Sequence, residues 1–212
     1  MTRLRWPPNI CAIPQGISPR TPPSPTINSG MIQAPHPFHL RTLTTADIPA
    51  LLAIERFSFP TAKSEAMYAY ELTQNKLAHY QALTRLETGE AEKFLGYAGD
   101  WIIAGEFHIS MLAVDPALRR QGLGQLLLLN ILFQALEKKA SLVTLEVRVS
   151  NEAAQKLYQK YRFEEVRIRR RYYRDTGEDA IVMAVFSPHE VDYVSYLQRQ
   201  RVHLFQRLSS AP

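Results

Sequence analysis

Hydrophobic residues between residues 38 and 186 follow two spacings, one typical of helices and one typical of strands. Apolar positions recur with a period near 3.6 after Thr44, Ser64 and Gln121, which predicts helices. Short runs rich in β-branched and aromatic residues predict strands between them. The predicted strands are residues 39–43, 80–86, 93–103, 107–114, 142–147, 163–171 and 179–186. The predicted helices are residues 44–57, 64–72, 121–139, 151–161 and 188–208, and residues 87–92 are predicted to form a turn.

The order of these elements predicts an α/β fold with one mixed sheet. The strand–helix–strand order within residues 107–147 implies a right-handed crossover between two parallel strands. Short turns join the other strands, and strands joined in this way run antiparallel. We therefore expect a mostly antiparallel sheet of about six or seven strands, flanked by helices, with one parallel pair.

Residues 1–37 differ in composition from the rest of the chain. They hold nine of the 14 prolines and no acidic residue, and proline removes backbone donors, so we predict a disordered tail. The sequence leaves open three alternatives: a plastid transit peptide, a functional arm, and a false start with Met31 as the true initiator. Residues 38–186 are predicted to form one folded domain, and residues 187–212 a helical extension at its C-terminus.

Charge and cysteine content exclude several classes of protein. The net charge of +5 resides in the two ends of the chain, so it does not indicate nucleic-acid binding. The single cysteine, Cys11, excludes an internal disulfide and a thiolate zinc site, and His36 and His39 lack companions for a metal site. The longest apolar run, residues 126–133, is far shorter than the roughly 20 residues of a membrane span. We therefore expect a cytoplasmic protein with no metal, no membrane contact and no direct nucleic-acid partner.

A glycine-containing turn is the most informative segment. It follows the strand that ends at Val114 and opens a long helix, where unpaired N–H groups and the helix dipole favour a pyrophosphate. Gly122 and Gly124 let the backbone approach a ligand, because no Cβ intervenes. Gln125 and Leu126 stand where a Walker loop needs Lys and Ser or Thr, and Leu127 stands where a dinucleotide fingerprint needs a third glycine or alanine. The candidate phosphate-binding residues are Arg119, Arg120, Gln121, Gly122, Leu123, Gly124 and Gln125.

Three motifs together resemble the GCN5-related N-acetyltransferase (GNAT) superfamily. Residues 119–124 match its acetyl-CoA signature, Arg-x-x-Gly-x-Gly. The Leu-Glu-Val-Arg sequence at 145–148, and Tyr-Tyr at 172–173 followed by Gly-Glu-Asp-Ala at 177–180, resemble the branch that acetylates protein N-termini, of the ribosomal-protein-alanine N-acetyltransferase type. The resemblance covers about residues 38–186.

The resemblance implies acetyl-CoA as the co-substrate and assigns roles in the site. Asn151 would contact the donor, although it is equally suited to cap the helix after it. The backbone of Leu112, Ala113 and Val114 would pair with the pantetheine arm, and an N–H there would stabilise the oxyanion. Glu146 would accept the proton of the amine, and Tyr158 would give a proton to the departing thiolate. A carboxylate suffices as base, because an α-amine has a pKa of only about 7.7–8.0.

The acceptor side is less constrained by the sequence. Tyr172 and Tyr173 are predicted to line the acceptor groove, and His108 is a second acid/base candidate that we expect to be mainly structural. Members of the family that the chain resembles usually carry Gly at the position of Arg162 and often Trp near Lys63. We interpret the basic run as a solvated strand face that balances nearby acids, with a contact to a ribosome or an acidic partner as the alternative. This run comprises Arg167, Arg169, Arg170, Arg171 and Arg174.

The sequence thus predicts an acetyl-CoA-dependent enzyme that acetylates a protein N-terminus, by resemblance the alanine of a ribosomal protein. An acetyltransferase for a small amine or a lysine side chain is the first alternative. A non-catalytic module that binds acyl-CoA or the ribosome is the second. The presence of both Glu146 and Tyr158 favours the catalytic interpretations.

Overall fold

The computed structural model describes residues 31–86 and 92–210. The strands are β1 (Phe38–Thr42), β2 (Ala78–Arg85), β3 (Lys93–Ile103), β4 (Glu106–Val114), β5 (Leu142–Arg148), β6 (Glu164–Tyr173) and β7 (Glu178–Phe186). The helices are α1 (Ile48–Ser58), α2 (Glu65–Thr73), α3 (Leu123–Glu137), α4 (Glu152–Lys160) and α5 (Val191–Ser209). Most of the turn predicted at 87–92 lies outside the described residues.

The seven strands form one mixed sheet in the order β1-β2-β3-β4-β5-β7-β6. The pair β4–β5 is parallel and the other five pairs are antiparallel, so the predicted fold class is confirmed. The position of β7 between β5 and β6 does not follow from the order of the elements along the chain. It places β6 two strands away from β5, at the edge of the sheet.

The two faces of the sheet carry different helices. Buried residues of α3, α4 and α5 share one large core with the sheet, in which the apolar run of α3 is almost completely buried. Buried residues of α1 and α2 form a second core on the other face, around Tyr68, Tyr80 and Tyr97. Side chains alternate between the faces along each strand, so residues flanked by core residues of the α3 face point toward α1 and α2.

Residues 31–37 differ from the disordered tail predicted for them. Ile32 and Ala34 pack against the core of the α3 face. The backbone N–H of Ile32 donates to Oδ1 of Asn130, which is fully buried in α3. This hydrogen bond satisfies the buried amide of Asn130, and it holds residues 31–37 against the domain although the segment contains prolines.

The C-terminal helix α5 packs on the ends of α3 and α4. Its Leu197, Leu204 and Leu208 are buried in the core of the α3 face, and the Tyr193 hydroxyl donates to the carbonyl of Tyr161 at 2.9 Å. The predicted extension is therefore an integral layer of the fold. Among the described residues, none of the helices combines the length and hydrophobicity needed to cross a bilayer.

Candidate active site

Strands β4 and β5 separate halfway along their length. Their parallel pairing covers only four positions and ends at Ile109 and Leu145. The register between β3 and β4 shifts at the next residue, Ser110, and such a bulge bends the strand. From Met111 to Val114 the inner edge of β4 pairs with β3, and its other edge faces the gap toward β5. The backbone predicted to pair with an extended ligand lies at this edge.

The glycine turn lies at the end of the same strand. Asp115 accepts from the N–H of Ala117 and begins a single 3₁₀ turn, after which α3 starts at Leu123. The first bond within α3 runs from the N–H of Leu126 to the carbonyl of Gly122. The amides of Leu123, Gly124 and Gln125 therefore have no acceptor inside the helix, which is the arrangement that binds a phosphate.

The two glycines of the turn have different reasons to be glycine. Gly122 has φ +95°, and a Cβ there would lie 2.7 Å from Nη2 of Arg207 and 2.9 Å from Cδ1 of Leu204. Its missing side chain thus makes room for α5. A Cβ at Gly124 would lie 3.7 Å from Leu157, an ordinary contact. The close approach of a ligand to this turn depends on the backbone amides.

The arginines of the turn are exposed. Arg120 has φ +68°, a left-handed conformation rare for a side chain of this size, and Arg119 donates from Nη2 to Oγ of Ser58 at 2.9 Å. The hydrogen bond from Arg119 to Ser58 connects the turn to the end of α1. Gln125, in the first turn of α3, accepts from Nζ of Lys160 at 2.7 Å.

Glu146 follows the last residue of β5 that pairs with β4. It points toward the α1/α2 face, because its neighbours Leu145 and Val147 belong to the other core. Its side chain is 11% exposed, and each carboxylate oxygen has a partner. Oε1 accepts from Nη1 of Arg169 at 2.7 Å, and Oε2 lies 3.2 Å from Nε2 of His108. The carboxylate thus lies at the mouth of the gap between two nitrogen donors.

His108 lies on β4 opposite this carboxylate. Burial lowers the pKa of its imidazole, an effect that the Glu146 carboxylate opposes and Arg169 adds to. Its Nδ1 lies 3.1 Å from Oγ1 of Thr144, and a neutral ring with its proton on Nε2 satisfies both contacts. The indole of Trp101 lies beside the ring, with 5.9 Å between the centroids.

Tyr158 approaches from the opposite face. It lies on α4 in the core of the α3 face, and its side chain is 7% exposed. Burial raises the pKa of its phenol to about 12, so the hydroxyl keeps its proton at neutral pH. Asn151 caps the same helix, since its Oδ1 accepts from the N–H of Ala154 at 3.1 Å.

Tyr172 and Tyr173 end β6 beside Glu146. Burial raises the pKa of Tyr173, and Glu146 and Tyr158 are among the neighbours that raise it further, so this tyrosine lies near both. The Tyr173 hydroxyl donates to the carbonyl of Glu146 at 3.3 Å, and its ring lies 3.8 Å below the guanidinium of Arg148. Tyr172 is more exposed and stacks under Arg169, with 4.3 Å from guanidinium to ring centroid.

Two features of the site escaped the sequence analysis. Arg169 was expected on a solvated face, but it contacts Glu146 diagonally across β7, where Ala180 is the small residue paired with it. Glu55 is a fully buried carboxylate in α1 that accepts from the Tyr68 hydroxyl at 2.6 Å and from the N–H of Lys63 at 2.8 Å. It fixes the loop between α1 and α2. No spacing in the sequence signals either contact, because both depend on the sheet order and on helix packing.

The described residues contain no candidate metal site. In residues 31–86 and 92–210, His, Cys, Asp and Glu side chains nowhere gather in threes that could hold an ion.

Comparison with protein families agrees with this geometry. Residues 48–163 match the model of the acetyltransferase (GNAT) family, which is more than half of the chain. The protein belongs to the GNAT family of N-acetyltransferases, enzymes that take their acetyl group from acetyl-CoA.

Several relatives resemble the chain over most of their length. The Escherichia coli (strain K12) [ribosomal protein bS18]-alanine N-acetyltransferase is 34% identical over 148 residues, which cover 69% of this chain and 95% of the relative. A Bacillus subtilis protein assigned provisionally to the same activity is 36% identical over 146 residues, 69% of this chain and 93% of the relative. The crystal structure of the ribosomal-protein-S18-alanine N-acetyltransferase from Escherichia coli superposes with a TM-score of 0.62 and covers 71% of this chain and 94% of that one.

The residues present fit acetyl-CoA. The edge of β4 that faces the gap offers an extended backbone to a pantetheine arm, and the free amides at the start of α3 offer donors to a pyrophosphate. The two features are contiguous along the chain, joined by the turn that carries Arg119 and Arg120.

Proposed function

We propose that this protein acetylates the α-amine of a protein N-terminus, that of an N-terminal alanine on a ribosomal protein. The observation that supports the proposal is that the pairing of β5 with β4 ends next to Glu146, which faces α1 and α2, while Tyr158 on α4 belongs to the core of the other face. The substrate class comes from the Escherichia coli relative, which is similar over 95% of its length. We place the reaction in the cytoplasm, where ribosomal proteins are made.

Acetyl-CoA supplies the acetyl group as a thioester, which the chain holds and orients. The amides of Leu123, Gly124 and Gln125 bind the pyrophosphate, with Arg119, Arg120 and Gln121 around it and Asn151 nearby. The backbone of Leu112, Ala113 and Val114 pairs with the pantetheine arm. An N–H of this edge donates to the thioester oxygen as negative charge develops there, a contribution of about 3 kcal/mol when lost.

Glu146 is the base in this proposal. It accepts one proton from the amine as the nitrogen bonds to the acetyl carbon and the carbon–sulfur bond breaks. His108 orients the carboxylate through Oε2 and stays neutral, because burial lowers its pKa. The demand on the base is modest, since an α-amine is partly neutral at pH 7.

Tyr158 is the acid. Its phenol keeps its proton at neutral pH, so it can donate to the sulfur as the thiolate departs. Tyr172 and Tyr173 line the acceptor side next to Glu146, where aromatic rings can hold the first residues of a peptide.

The test uses the full chain with acetyl-CoA and follows thiol release with three acceptors. These are a peptide with a free N-terminal alanine, the same peptide blocked at its N-terminus but containing lysine, and a small polyamine. We expect turnover with the first acceptor alone. Turnover with the others would replace the N-terminal assignment by a lysine or small-amine acetyltransferase. Acetyl-CoA binding without turnover on any acceptor would indicate a non-catalytic module.

A further inference from the structure

Both oxygens of the Glu146 carboxylate are engaged by nitrogen donors. The contact to His108 comes from the interior, since the imidazole is 17% exposed, and the contact to Arg169 comes from the solvent side, since that side chain is 37% exposed. A carboxylate has about four lone-pair positions, so each oxygen can accept one further hydrogen bond. The guanidinium of Arg169 occupies the position on the solvent side.

Arg169 is the partner suited to leave. Its ion pair is partly exposed, and water weakens such pairs. Its guanidinium also has a second contact, the ring of Tyr172 at 4.3 Å, on which it can remain after it leaves the carboxylate. His108 is the more buried of the two partners and also contacts Thr144 and Trp101.

We infer that Arg169 is a gate on the base: its guanidinium occupies the position of the acceptor amine at Glu146 and is displaced by that amine. The inference rests on the proposed function and adds a specificity residue to it. An acceptor competes with the guanidinium for this carboxylate oxygen through the N–H donors of its amine. Arg169 acts through Glu146 and is a positioning residue.

The test compares Arg169→Ala with Arg170→Ala, a matched change on the same strand. Arg170 pairs with Asp179 and is 80% exposed, so its removal leaves Glu146 untouched. With the alanine-starting peptide, Arg169→Ala should lower the KM for the peptide about threefold or more and change kcat little. Arg170→Ala should match the wild type.

Free guanidinium distinguishes a gate from a binding residue. Low millimolar guanidinium chloride should inhibit Arg169→Ala competitively against the peptide, because it refills the vacated position, and equal sodium chloride should not. The wild type should respond to neither.

Three results would overturn the inference. A higher KM with activity restored by guanidinium would make Arg169 a residue that binds the acceptor. Unchanged kinetics without a guanidinium effect would make the contact passive. A wild type that acetylates no amine would overturn the proposed function together with the gate, whereas the first two results leave the proposed function standing.

Discussion

His108 and Glu146 contact each other at the point where β4 and β5 separate. The imidazole Nε2 lies 3.2 Å from Oε2 of the carboxylate, one residue beyond the last position at which β5 pairs with β4. The two strands pair up to this contact and not beyond it, so the edge of β4 from Met111 to Val114 is not paired with β5. The end of the β4–β5 pairing therefore determines where these two side chains of the candidate site lie.

The lowered pKa of His108 predicts a pH dependence of stability. Burial disfavours the charged ring in the folded state, so below the ordinary value of 6.5 the unfolded chain binds a proton that the folded chain does not. The free energy of unfolding should therefore fall as the pH drops below that value. His108→Gln should lose this part of the slope in urea titrations between about pH 5.5 and about pH 8.

The matched control for this prediction is His203→Gln, an exposed position on α5. It should keep the slope of the wild type. An identical slope in His108→Gln and the wild type would show that the imidazole titrates alike in both states.

The two glycines of the turn should respond in opposite ways to alanine. In Gly122→Ala the left-handed backbone and the collision with Leu204 and Arg207 should cost about 2 kcal/mol of unfolding free energy. Gly124→Ala should be neutral or stabilising by up to about 1 kcal/mol, since its new Cβ makes ordinary contacts in a helix. Thermal and urea unfolding of both variants measure the difference. Equal effects on stability would contradict the conclusion that a side chain at position 122 collides with α5.

Arg162 and Tyr196 form a pair that can be tested by a double-mutant cycle. Arg162 follows the end of α4 with φ +60°, a left-handed conformation that favours glycine, and its guanidinium lies 4.1 Å above the Tyr196 ring. The strained backbone should cost about 1 kcal/mol, which the stacking contact partly offsets. Arg162→Gly should therefore stabilise the Tyr196→Leu background by about 0.5–1 kcal/mol more than the wild type.

The unfolding free energies of the four proteins in the cycle decide this prediction. Equal effects of Arg162→Gly in both backgrounds would show that α5 does not compensate for the backbone of this turn.

Local signals in the sequence were sufficient to predict the elements. The caps Ser64 and Asn151 accept the expected backbone hydrogen bonds, and the predicted bounds of β3 agree with the structure. The single parallel pair followed from the crossover between β4 and β5. These features depend on residues close together in sequence, so periodicity and capping reveal them.

Contacts between distant elements could not be predicted in the same way. The partners of Glu146 come from β4 and, across β7, from β6, so they depend on a strand order that short turns do not specify. The residues that leave no room for a side chain at Gly122 lie in α5, more than eighty residues away. The fixed position of residues 31–37 depends on the buried side-chain amide of Asn130 in α3. Each is a property of the assembled core.

The most direct test of the proposed chemistry compares Glu146→Gln and Tyr158→Phe with the wild type, using the alanine-starting peptide and acetyl-CoA. We predict that each variant loses about 100-fold or more in kcat and binds acetyl-CoA in calorimetry as the wild type does, because both changes remove a proton-transfer group and leave the β4 edge and the α3 amides intact. Wild-type turnover in either variant would contradict the role assigned to that residue.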